Sequence, residues 1–133
     1  MRLLLDTHIL LWAAGEPKRL PPGVRGRLED PATELFYSAA SLWEVSLKSA
    51  LGREDFGVDP RVLRRGLMEN GYRELAVTGA HATAVDLLPA VHKDPFDRML
   101  VTQAQVEGMI LLTSDSVVAR YPGPIELIRG RRG

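Results

Sequence analysis

Three features of this sequence predict an α/β fold with a central, mainly parallel sheet. Residues 3–5 and 109–112 are apolar runs of strand length without polar alternation, the pattern of strands covered on both faces. Each run leads to an acid, Asp6 in the first case and Asp115 in the second. Between them, strand candidates alternate with helical stretches, which implies parallel strands joined by crossover helices on both sheet faces. In open sheets of this kind, ligands bind beyond the carboxyl ends of the strands.

In chain order, Leu3, Leu4 and Leu5 form the first strand, and Thr7 opens a helix through the apolar run 9–14. Residues 15–22, GEPKRLPP, are dense in breakers and read as a loop. A short helix over 24–30 stops at Pro31, and Leu35, Phe36 and Tyr37 make a brief strand. Ser38 begins the helix SAASLWEVSLKSAL. There Trp43, Leu47 and Leu51 recur at four-residue spacing and are assigned to the buried stripe, with Glu44 and Lys48 at its edge. Residues 52–59 read as a polar loop. Pro60 suits the first turn of a helix running to about Asn70, with Gly71 as its stop. Residues 73–77 form a weak strand, and Thr78 caps the helix GAHATAVDLL, which Pro89 closes. Asp94 and Pro95 start a further helix, with Phe96, Met99, Leu100 and Gln103 along one side and Gly108 at its end. The strand over 109–112 follows, and a last strand covers 125–128. Without repeat, low-complexity tract or linker, residues 1–133 read as a single domain.

Of the 133 residues, 45% are hydrophobic and 26% charged, the balance of a water-soluble chain with one substantial core. Formal net charge is zero, so nothing pulls the whole molecule toward nucleic acid or membrane. Two local basic clusters, Arg61 with Arg64 and Arg65, and Arg129 with Arg131 and Arg132, read as solvated surface. The absence of cysteine excludes disulfides and thiolate metal sites. The acid at position 6 interrupts the apolar start, which argues against a secretory signal or membrane span. A cytoplasmic protein is expected.

Four acids, Asp6, Glu44, Asp97 and Asp115, fall where the chain crosses the sheet edge or enters helices. Each has an ordinary structural role open to it. Asp6 and Thr7 can cap the first helix, and Ser41-x-x-Glu44 fits a capping box. Asp97, three residues after Asp94, can stabilise a first turn and the helix dipole. Asp115 can cap a short helix SVVAR. If the strands leading to Asp6 and Asp115 are neighbours, however, the four carboxylates meet in one crevice. Such a cluster repels itself or takes up protons unless something compensates it. Mg²⁺ or Mn²⁺ does so, since both prefer oxygen ligands. Beside a phosphodiester, a cation so held can activate water and offset the charge of an in-line displacement. The residues therefore suggest metal-dependent phosphodiester hydrolysis.

In this order and spacing, LLLDTHILLW, SLWEVSLK, HKDPFDRMLVTQA and LLTSD resemble the signature of PIN-domain nucleases. Within that family they resemble the VapC-type toxins of bacterial toxin–antitoxin pairs. The resemblance extends from Met1 to about Ile128. It implies a three-layer α/β/α fold and an Mg²⁺- or Mn²⁺-dependent endoribonuclease acting on RNA. It also implies a cognate antitoxin and, commonly, a homodimer. Carried over by position, Asp6, Glu44, Asp97 and Asp115 are the catalytic, metal-holding acids. Asp97 is preferred to Asp94 because it directly precedes the apolar helix run RMLVTQA; Asp94 is then a cap or outer residue. Thr7 and Thr113 are placed either to hydrogen-bond carboxylates and metal waters or as turn hydroxyls. For Arg98 the options are contact with phosphate, support of an acid, or a structural ion pair. Lys48, one turn after Glu44, has the same options.

His92, two residues before Asp94, makes an HxD pair of the kind that can bind metal, whereas His8 and His81 are isolated. Without paired histidine spacing, all three read as structural or surface residues. The sequence has no Gly-rich phosphate loop and no GxSxG elbow. Position 8 is His, so a D-x-D phosphatase motif is missing as well. Two other readings stay open: a PIN nuclease of RNA processing or DNA repair without a toxin role, and a non-catalytic binding module that uses the acids only as caps.

Overall fold

Leu3, Leu4 and Leu5 are completely buried, as every side chain of a strand must be when helices cover both faces of its sheet. They belong to β1 (Arg2–Leu5), the central strand. The computed structural model describes residues 1–130. Its other strands are β2 (Glu34–Ser38), β3 (Arg73–Leu75), β4 (Ile110–Thr113) and β5 (Ile125–Leu127), in the order β3-β2-β1-β4-β5. Every pairing is parallel. The α-helices are α1 (Thr7–Gly15), α2 (Pro22–Glu29), α3 (Ala39–Ala50), α4 (Pro60–Glu69), α5 (Gly79–Ala84) and α6 (Pro95–Glu107).

Alternation along the strands builds two cores. Leu3, Leu5, Tyr37 and Leu112 face residues of α1, α2, α3 and α4, among them Ile9, Val24, Val45 and Leu67. Leu4 and Leu111 face the opposite way, onto Leu100, Val101 and Ala104 of α6. The expected three-layer α/β/α arrangement results. From β1 the chain winds to β2 on one side, and only much later reaches β4 on the other. The reversal opens a crevice at the carboxyl ends of β1 and β4, the place where such sheets bind ligands. Among the described residues, no helix is long and apolar enough to cross a membrane.

Local signals explain most helix ends. Asp94 accepts hydrogen bonds from the N–H groups of Phe96 (2.8 Å) and Asp97 (3.3 Å), with Pro95 in the first turn of α6. Thr78 caps α5 by accepting from the His81 N–H at 3.3 Å. Gly108 ends α6 at φ +68°, a left-handed conformation that disfavours any β-carbon. Gly108→Ala is therefore expected to cost about 1 kcal/mol in urea unfolding. An unchanged midpoint would contradict this account of the cap.

Several expectations need correction. The outward face of α3, not its inward face, carries Trp43, Leu47 and Leu51, which are 65%, 44% and 72% exposed. Its buried residues are Ala40, Ser41, Glu44 and Val45, because this helix lines a polar crevice as well as a core. The Ser41–Glu44 capping box is not formed: Ser38 is the cap, accepting from the Ala40 N–H at 3.0 Å. Glu44 consequently sits in the second turn of α3 and is free for other partners. The loop over 52–59 contains a 3-10 turn, Glu54–Phe56, that drives Phe56 into full burial. The helix after Thr78 ends at Ala84 and tightens into a 3-10 turn, leaving Leu87 exposed. The weak strand stops at Leu75, and β4 runs one residue later than read, taking in Thr113. After Asp115 there is only a 3-10 turn, Val118–Arg120. Arg61, Arg64 and Arg65 are exposed, with Arg61 paired to Asp59 and Arg64 to Glu74. Arg129 is exposed as well, while Arg131 and Arg132 lie outside the described residues.

Candidate active site

Asp6 follows the last residue of β1 and caps α1, its Oδ1 accepting the Ile9 N–H at 2.8 Å. Capping uses only one of its oxygens. Oδ2 accepts from the Thr113 hydroxyl at 2.6 Å and from the Ser114 N–H at 3.2 Å, both at the end of the neighbouring β4. Asp6 is only 4% exposed, and burial pushes its carboxyl up against the opposing pull of these hydrogen bonds.

Glu44 enters from α3 and is also buried. Its Oε1 accepts from the Thr7 hydroxyl at 2.6 Å, and its Oε2 pairs with Lys48 one turn on. Thr7 lies 3.0 Å from the Ser41 hydroxyl, so Ser41 joins the group that orders Glu44. The Lys48 ammonium reaches to 3.9 Å from Asp94 and lies over the ring of Phe56, 4.8 Å from its centroid. Its apolar seat explains how a lysine is kept at a buried carboxylate.

Asp97 lies in the first turn of α6, but Asp94 does the capping there, which leaves the Asp97 carboxylate for the crevice. Its pKa is raised to about 7, first by burial and then by the charges of Asp94, Glu44 and Asp6. The carboxylates of Asp6, Glu44 and Asp94, from three elements, thus lie near enough for their charges to act on Asp97. Asp115 differs. Burial would raise it, but the Val117 N–H, His92 and the Val118 N–H together hold it below the usual carboxylate range.

His92 ties the third and fourth acids together. Its Nε2 is 3.3 Å from Asp97 Oδ2 and 3.1 Å from Asp115 Oδ2. One donor atom from each of His92, Asp97 and Asp115 lies within 4.8 Å of the others, a spacing that could hold a metal ion. From the sequence His92 is expected to be a structural or surface residue; the structure puts it between Asp97 and Asp115. Its visible signal was the HxD pair with Asp94. Arg98, in contrast, spends its guanidinium on the carbonyls of Val85, Pro89 and His92 and on the Tyr121 hydroxyl. It forms no ion pair with the acids among the described residues, and braces the segment that carries His92.

The donors fit a hard divalent cation: several carboxylate oxygens, with Asp97 pushed up first by its own burial and then by the neighbouring acids. His8 stands apart, 3.5 Å from Asp55 and edge-on to Phe56. His81 is buried and accepts the Thr78 N–H at Nδ1, so it presents Nε2 to Glu107 at 2.8 Å.

Residues 3–124 match the PIN domain family. The chain is 30% identical over 126 residues to Ribonuclease VapC22 of Mycobacterium tuberculosis (strain ATCC 25618 / H37Rv), across 92% of this chain and 95% of that protein. In shape it is similar to a chain of VapBC2 from Rickettsia felis, solved bound to a DNA fragment from their promoter. That likeness has a TM-score of 0.72 and 14% identity, over 96% of this chain and 99% of the other. A chain of DNA-bound VapBC from Salmonella typhimurium gives a TM-score of 0.66 and 18% identity, over 95% and 97%. At such identities the structural likeness speaks for the fold alone.

Proposed function

We infer that this chain, which belongs to the PIN-domain nucleases of VapC type, is a divalent-metal-dependent endoribonuclease and the toxin of a toxin–antitoxin pair. The observation that supports the reading best is that His92, Asp97 and Asp115 offer ligand atoms within 4.8 Å of one another, while the buried Asp6 and Glu44 lie near enough for their charges to act on Asp97. A module using these acids only as caps would not need this arrangement. Asp97 caps nothing, and Glu44 lies beyond the first turn of its helix.

Asp97 and Asp115 would hold Mg²⁺ or Mn²⁺, with Asp6 and Glu44 completing the anionic wall directly or through water. Bound there, the cation supplies an activated water and a counter-charge for the phosphate oxygens. The protein's own part is to keep the carboxylates in place. Thr113 and the Ser114 N–H fix Asp6, while Thr7 and Lys48 fix Glu44. Lys48 also tempers the repulsion between Glu44 and Asp94. On the same reading the protein works in the cytoplasm as a homodimer silenced by a cognate antitoxin. Trp43, Leu47 and Leu51 form the kind of exposed apolar surface that a protein partner covers, and Trp43 packs edge-on against Phe96 beside Asp97.

The test is incubation of the purified chain with a panel of structured RNAs, in Mg²⁺, in Mn²⁺ and in chelator. Discrete products that vanish with chelator are expected. Cleavage that persists in excess chelator would rule out the metal-dependent mechanism.

A further inference from the structure

His92 is held more firmly than a surface histidine needs to be. Its backbone N–H donates to the Tyr121 hydroxyl at 2.7 Å, and its carbonyl accepts from that same hydroxyl at 3.2 Å. Arg98 donates to Tyr121 at 3.1 Å and to the Pro89 carbonyl at 3.1 Å, bracing the segment from the other side. The ring is fixed as well. Nδ1 accepts the Asp94 N–H at 3.2 Å. A nitrogen that accepts a hydrogen bond carries no proton, so the ring proton resides on Nε2. Nε2 is the atom that lies between Asp97 and Asp115.

We propose that His92 is a positioning residue of this site, an imidazole locked as the Nε2–H tautomer whose one N–H is donated to Asp115 and lies beside Asp97. In that state it donates to Asp115, stands 3.3 Å from Asp97 Oδ2, and does not itself ligate the cation. Asp97 comes from the start of α6 and Asp115 from the loop after β4, and no hydrogen bond between described residues joins them directly. The N–H sets the angle at which Asp115 faces an ion and holds the ring against Asp97, the role that outer hydrogen bonds play around metal ligands. The ion would then meet oxygen donors alone, which favours Mg²⁺ or Mn²⁺ over metals that seek nitrogen. This inference rests on the reading of the acids as an ion site.

The test combines nuclear magnetic resonance of [¹⁵N]histidine-labelled protein with calorimetric Mg²⁺ titration. For His92 the proton is expected on Nε2 and not on Nδ1, and Mg²⁺ should leave it there. His92→Ala is expected to weaken Mg²⁺ binding by about ten- to a hundredfold. His92→Gln, whose side-chain amide donates from nearly the same place, should stay within about threefold of wild type. The NMR result on unaltered protein stands even if a variant folds poorly. Loss of the Nε2 proton on adding Mg²⁺ would make His92 a ligand and overturn the proposal. Unchanged Mg²⁺ affinity in His92→Ala would overturn it too, while leaving the ion site intact. A wild-type protein that binds no Mg²⁺ would remove the ion site and the proposal together.

Discussion

Asp6→Asn is expected to reduce metal-dependent RNA cleavage by about a thousandfold, the scale on which a single lost electrostatic group can act in a closed site. The fold should survive the change. Asn keeps a carbonyl oxygen for the Ile9 N–H, so α1 stays capped. Its amide must then face Thr113 and the Ser114 N–H, where Asp6 Oδ2 accepted both. The Thr113 hydroxyl can rotate and accept instead of donating, but the Ser114 N–H loses its partner, at a cost of about 1 kcal/mol. Against this, Asn removes a buried charge that the site holds at some expense, as the upward displacement of the Asp6 carboxyl shows. Melting within a few degrees of wild type, with cleavage gone, is the expected pair of results. Full cleavage by Asp6→Asn, with contaminating nuclease excluded, would remove Asp6 from the chemistry.

Asp97→Asn should make the metal-free protein more stable, and more so at higher pH. The Asp97 carboxyl has an ordinary value of 3.8 and lies at about 7 in the fold. Because the folded value is raised, the native state favours the protonated acid. The stability linked to that proton is fully present below pH 3.8 and is lost as pH rises through about 7. Asn carries no charge at any pH, so its advantage grows from about pH 4 to about pH 7 and then levels off. A displacement from 3.8 to about 7 corresponds to at most about 4 kcal/mol. At pH 8 a melting gain of about 3–8 °C is expected, shrinking toward pH 5. Mg²⁺ should reverse the order, raising the melting temperature of the wild type and not of the variant. Equal melting of the two proteins at pH 8 without metal would show that Asp97 is not under the strain described.

The two strand-then-acid units were legible because a buried parallel strand leaves an unmistakable apolar run, and its polar end stands out against it. Asp94, Pro95 and Gly108 were legible for a similar reason: caps act within a few residues of themselves. Glu44 was harder. Amphipathic reasoning turns the apolar stripe inward, and on α3 the inward face is small and polar because it borders the crevice. Trp43, Leu47 and Leu51 therefore appear on the wrong side of any reading that assumes a purely apolar interior. His92 shows a different limit. Its partners are residues 97 and 115, brought near by a helix start and a strand end, and no local spacing rule reaches that far. Arg98 binds carbonyls of an irregular segment, a role that leaves no pattern in residue types. Phe56 was hidden in a charged loop, where one aromatic residue gives no period to read.

The strand order has a further consequence for how such a protein is made. Asp6 lies close to the start of the chain, yet its carboxylate is held by Thr113 and Ser114, and β1 has no partner on that side until β4 exists. A ribosome must therefore release more than a hundred residues before the crevice can close. A growing chain carries the first acids for most of its synthesis without the wall that makes them a site. This topology delays assembly of the crevice until translation of the domain is nearly finished.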